Sequence, residues 1–228
     1  NVHDQHLKEL ITSGRPMNVR RAIDLATQVA DALAEAHSLD LIHGALGSTT
    51  VVVTPKGHAK VLDFGLTAWT REDHPGQSAE RIAAAGAALG PRSIGYMAPE
   101  QLLGQAVDHR ADLFALGALL HEMLTGESPF AAGTAAETGV KVLQANPAAP
   151  SAVNPEVPAG LDVIVTRALA KKPEERYQSA ATIAADLRTM AAAHHGPEGA
   201  SEAGLVRAPA RSSPWRTAVL GSLLVAAI

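Results

Sequence analysis

Between residues 18 and 37 the apolar side chains Ile23, Ala26, Val29, Ala30 and Leu33 return at helical spacing, and His37 continues the stripe. Arg20, Asp24, Asp31 and Glu35 fall largely on the other faces, and Asn18, just after Pro16, is a suitable N-cap. A long amphipathic helix is predicted there. The pattern then shortens. Residues 51–54 are valine-rich, 55–58 carry Pro55 and Gly57, and 59–62 turn apolar again, which predicts strand, turn, strand. Residues 108–124 predict a second long helix with Leu113, Leu116, Leu119, Leu120 and Met123 turned inward and Gly126 beyond its end. Thr134-Ala135-Ala136-Glu137 has the form of a capping box opening another helix. Residues 146–158 are proline-rich and predict a loop, whereas 161–170 and 179–193 predict helices. A short helix is expected near residues 6–11.

With 228 residues, the chain is long enough to bury a real core. Aromatic residues make up only 3%, so alanine and leucine must fill most of the interior. The formal charge of -4 gives no reason to expect a nucleic-acid partner. The absence of cysteine excludes disulfides and thiolate zinc sites. Asn1 is not a methionine and the sequence stops inside an apolar run, so it reads as a segment cut at both ends, with no N-terminal targeting signal to judge.

Chemistry enters with three short motifs placed around the predicted hairpin. His43-Gly44-Ala45-Leu46-Gly47-Ser48-Thr49-Thr50 precedes it, Asp63-Phe64-Gly65 follows directly, and Ala98-Pro99-Glu100 comes later. This order resembles the C-terminal lobe of a protein kinase: catalytic loop, metal-binding DFG, then APE. Residues 92–100 are similar to the bacterial kinase run GTPGYMAPE. Asp112-Leu113-Phe114-Ala115-Leu116-Gly117 is similar to the family's buried F helix, and the stretch from Lys171 through Arg176 to Ala180 to its closing signature. The resemblance covers residues 1 to about 192. It implies an α+β, protein kinase-like fold: a mainly helical C-lobe with a small β-hairpin, the N-lobe falling outside this chain. It further implies that the backbone at His43 and Gly44 donates to Asp112, that Phe64 packs on His43, and that Glu100 pairs with Arg176. With Gly65, these are expected to hold the fold.

Within the catalytic loop the family reads H-R-D-L-K-P-x-N. Here the arginine, aspartate, lysine and asparagine positions are Gly44, Ala45, Gly47 and Thr50. Ala45 has no group to accept the substrate hydroxyl proton, Gly47 supplies no cation, and Thr50 is a poor Mg²⁺ ligand. The resemblance therefore implies a pseudokinase of the bacterial Ser/Thr kinase type, membrane-anchored and acting by docking. An active Ser/Thr kinase with displaced catalytic groups and a decayed, non-signalling remnant are the alternatives. Two readings of Asp63 stand, a Mg²⁺ ligand beside ATP or a local backbone cap. Val52 is either an apolar contact under the adenine or a plain core valine. ATP and Mg²⁺ are thus open, with weak or absent binding the other outcome.

Residues 66–97 are expected to be a mobile or partly helical surface segment, with Thr67, Thr70, Ser78 and Ser93 as candidate phosphosites. Gly44 cannot replace the arginine that pairs with a phosphorylated segment in the family, so ordering by that route is not expected. The expected partners are an active Ser/Thr kinase and a phosphothreonine-binding protein. Residues 193–213 have a linker composition, Arg207, Arg211 and Arg216 are unopposed by acids after Glu202, and within 214–228 the run from Thr217 to Ile228 is uncharged and mostly apolar. These read as a juxtamembrane linker and the truncated start of a transmembrane helix, which places the domain at the cytoplasmic face of the cell membrane; a short apolar tail docking on the domain is the alternative.

Overall fold

A computed structural model describes residues 3–11, 15–64 and 93–194, all within one compact unit, Asn1–His194. The first elements are a two-residue strand β1 (Gln5–His6) and a short helix α1 (Leu7–Leu10), followed by the long helix α2 (Val19–Ser38). The Asn18 side chain accepts from the Arg21 N–H at the start of α2. Strands β2 (Val51–Val53) and β3 (Ala59–Val61) form the hairpin. β1 adds to its free edge, giving an antiparallel sheet in the order β1-β2-β3 with His6 opposite Val52 and Val51 opposite Val61. The small sheet is therefore three-stranded, not a lone hairpin. A strand of two residues has no periodicity from which to read it.

Beyond the sheet, α3 (Pro99–Leu102) leads into α4 (Arg110–Thr125). Every residue of α4 from Ala111 to Thr125 is buried, which is the state expected of a helix apolar on all sides. α5 (Ala135–Gln144) starts on the full capping box, with Thr134 accepting from the Glu137 N–H and Glu137 from the Thr134 N–H. Residues 146–158 are not all loop: α6 (Pro150–Val153) forms there, with Pro150 in its first turn and the Ser151 N–H held by the Asp162 carboxylate. The chain continues through α7 (Ala159–Ala168), a 3₁₀ turn (Pro173–Glu175) and α8 (Ala180–His194). Helix α2 packs on α8 and on α4, and α4 packs on α7, so α4 is the pillar against which the loop ahead of β2 is set. This is an α+β protein kinase-like fold.

Candidate functional site

The site is built outward from Asp112, a 1% exposed carboxylate near the start of α4. Its two oxygens accept from the backbone N–H of His43 at 2.9 Å and of Gly44 at 2.7 Å. The oxygen that takes the His43 N–H also meets His37 Nε2 at 2.8 Å. A buried charge needs such donors, and here they tie the catalytic-type loop to the central helix. His37, which extends the apolar stripe of α2 in sequence, is thus a polar partner of Asp112; its helical position puts it on the inner face, and its imidazole serves the carboxylate.

His43 is fully buried. Its Nδ1 accepts from the Ala45 N–H at 3.3 Å, so Nε2 carries the ring proton and donates it to the Leu62 carbonyl at 2.9 Å. The ring also lies against Phe64, centroids 4.8 Å apart and tilted by 56°. Residues on the two sides of the hairpin are thereby joined just where Asp63 emerges. Asp63 itself is exposed, with φ of 64°, a left-handed backbone. Gly65 lies outside the described residues.

Along the loop, each replaced position has its own structural consequence. Gly44 has φ of 71°, a conformation that glycine adopts without strain, and its carbonyl accepts from Gln101 Nε2 at 2.7 Å. Ala45 is exposed and offers only a methyl group. At Gly47, a Cβ would lie 2.8 Å from Cδ2 of Tyr96, so the tyrosine ring covers the direction in which a side chain would leave. That ring is held from its far end: the Tyr96 hydroxyl bonds Ser48 Oγ at 2.9 Å and also the fully buried Glu122 carboxylate. The Thr50 hydroxyl accepts from the Gly47 N–H at 3.0 Å and donates to the Gly47 carbonyl at 3.1 Å. Its proton and one of its two lone pairs are engaged inside the loop.

This arrangement does not fit the metal pair of an active kinase. Thr50 occupies the position of a metal-binding amide with a hydroxyl already hydrogen-bonded to the Gly47 N–H and carbonyl, and Ala45 has no side-chain oxygen. Among the described residues no three His, Cys, Asp or Glu side chains gather where an ion would be held. Asp63 is the one carboxylate between His43 and Phe64, and it is exposed. Val52 lies in the middle of β2 and is buried, but it stands outside the contiguous core that holds Val51 and Val53. Strand alternation accounts for this, since Val52 points to the opposite face of the sheet.

Behind the loop, Glu100 at the start of α3 meets Arg176 in a bidentate pair, with both nitrogen–oxygen distances 2.7 Å and both side chains buried. Arg176 and burial together push the neighbouring Lys171 ammonium down to about 8, burial being the larger cause. The Val142 carbonyl at 2.7 Å and the face of Phe130 at 4.3 Å act in the opposite sense, favouring the charge. Of the candidate phosphosites, Ser93 is half-buried in the turn ahead of Tyr96, and Thr67, Thr70 and Ser78 lie outside the described residues.

Residues 1–187 match the protein kinase domain family. The chain belongs to the protein kinase family. Its relatives include the serine/threonine-protein kinase PknB of Mycobacterium tuberculosis, 33% identical over 181 residues that cover 79% of this chain and 28% of the relative. PrkC of Bacillus subtilis is 32% identical over 188 residues, covering 82% and 28%. PknH of Mycobacterium bovis is 34% identical over 183 residues, covering 80% and 29%. The chain thus spans less than a third of the length of these curated relatives. Tyr96, Ser48, Glu122 and His37 are the site residues that motif reading passes over. Only Tyr96 carried a signal, through its place in the run before Ala98-Pro99-Glu100.

Proposed function

We propose that this chain is the C-lobe of a membrane-anchored bacterial pseudokinase, a signalling module that docks partners and does not transfer phosphate. The observation that carries this reading is Ala45, an exposed methyl group where the family places its general base, in a loop whose residues 43–50 hold no carboxylate. Gly47 supplies no cation, and Thr50, at one metal position, has its hydroxyl hydrogen-bonded to the Gly47 N–H and carbonyl.

Asp63 and Val52 are the residues that would hold a nucleotide and a single Mg²⁺, and the bound pair would then act as a conformational ligand. Residues 214–228 begin the membrane helix that keeps the module at the cytoplasmic face. An active Ser/Thr kinase phosphorylates it at Thr67, Thr70, Ser78 or Ser93, and a phosphothreonine-binding protein reads the mark. Among the described residues no helix is long and apolar enough to cross a membrane, and residues 214–228 lie outside them.

The rival reading, an active kinase, is favoured by the kinase relatives and by the intact Asp112 and Glu100–Arg176 supports. It requires a carboxylate beside the substrate hydroxyl, and residues 43–50 contain none. Calorimetric titration of the full-length protein with Mg·ATP, run beside a phosphotransfer assay, separates the two. Binding or no binding, each without transfer, supports the pseudokinase; transfer that depends on Asp63 overturns it.

A further inference from the structure

The first turns of α2, the β2–β3 turn and the end of α8 line an open cleft of about 600 Å³ that includes no residue of the catalytic-type loop. A second hollow of about 370 Å³ continues from the same turn to β1 and Leu10. Arg21, Lys56 and Gly57 line both, so the two make one drawn-out groove with Arg21 and Lys56 at its waist. Half-buried Ala191 in the larger part and Leu10 in the smaller supply apolar wall, while Leu25 and Val53, which also line them, are themselves buried.

The charge here opposes that of the chain as a whole, which is -4. Arg20, Arg21, Lys56 and Arg188 line the groove, and Asp24 is the one carboxylate among its lining residues. Arg188 is already paired with Asp31 at 2.6 Å. Among the described residues no carboxylate pairs with Arg21 or Lys56. Cations spread over a convex helix face are ordinarily just solvated. These come from three separate elements and, though each is exposed, they line one recess, where their fields add.

We propose that this groove docks an extended acidic peptide segment of a partner protein, its carboxylates on Arg21 and Lys56 and its apolar side chains against the walls on either side. A flat anionic surface would reach the rim cations but not the recessed apolar walls, and a single phosphate would use the waist but neither hollow. The partner's chemistry gives substance to the docking reading above. The proposal rests on that reading for its purpose, while its geometry involves none of the catalytic-type loop.

The test is selection of a random peptide display library on the full-length protein, followed by affinity measurement of the synthesised consensus. The expected consensus is rich in Asp or Glu with an apolar anchor, and R21E/K56E weakens its binding at least about tenfold. K172E, an exposed charge reversal elsewhere, leaves that binding unchanged. A consensus without acidic bias, or equal affinity for R21E/K56E, overturns the proposal. So does a groove that takes up phosphatidylglycerol vesicles through Arg21 and Lys56 while ignoring acidic peptides. Phosphotransfer measured on the same preparations is a separate readout: transfer would overturn the pseudokinase reading and leave the groove standing, and lost peptide binding would do the reverse.

Discussion

Arg176→Ala should be among the most destabilising single changes in this lobe. All five guanidinium N–H groups are used: Nε on the Ala170 carbonyl, Nη1 on Glu100 and the Arg110 carbonyl, and Nη2 on Glu100 and the Lys171 carbonyl. Removing them strands a carboxylate that is 4% exposed and leaves three carbonyls short of a donor. Breaking a buried pair in this way costs roughly 3–5 kcal/mol, because the surviving charge stays buried. For a domain of this size that corresponds to about 6–20 °C in Tm. Urea unfolding of the full-length protein would measure it, with Glu100→Ala as the mirror variant and the double mutant closing a cycle. The two single losses should overlap, so that the double mutant falls short of their sum by at least about 1 kcal/mol. The apolar pair E100L/R176M should lie closer to wild type than either single variant. A loss below about 1 kcal/mol for Arg176→Ala, or strict additivity, would refute the reasoning that the cost comes from an orphaned charge.

Two further outcomes follow from the same structure. Gly47→Lys forces its Cβ against the Tyr96 ring and should cost about 1–3 kcal/mol without adding phosphotransfer, checked by melting and by a kinase assay; a stable variant that gains activity would show that the ring gives way freely. Lys171 releases its proton near 8 when folded but at about 10.5 when unfolded, so between those values the unfolded state binds more protons and stability rises with pH. Unfolding of wild type and Lys171→Met across that window should show a rise in the wild type that the variant lacks, and parallel curves would contradict it.

The parts of this lobe that are legible in sequence are those where a short motif implies a fixed local geometry. Asp112 sits in the first turn of a helix that is buried from Ala111 to Thr125, so its carboxylate had to find donors nearby, and the loop at His43 and Gly44 is what the topology brings there. Asn18 and Thr134 are equally local, each capping the helix it begins. What escapes sequence reading is contact between distant segments. Nothing at Gly47 announces that Tyr96 lies over it, since the two come together only when the run before α3 folds back on the loop and is held by Glu122 from within α4. His37 shares the spacing of an apolar stripe, and only the position of Asp112 makes it a polar partner. The basic groove is hidden for the same reason, its cations being drawn from α2, a turn and α8.

On the proposed pseudokinase reading, residues 43–50 do not support phosphotransfer. A lost general base costs about 10²–10⁴-fold in rate, and a lost electrostatic stabiliser about 10²–10³-fold more. The most direct measurement is transfer of labelled γ-phosphate from Mg·ATP by the purified full-length protein, to itself and to a generic protein substrate, against an Asp63→Ala control. The account predicts incorporation no greater than that of the control. Incorporation that is stoichiometric and vanishes in Asp63→Ala would contradict it.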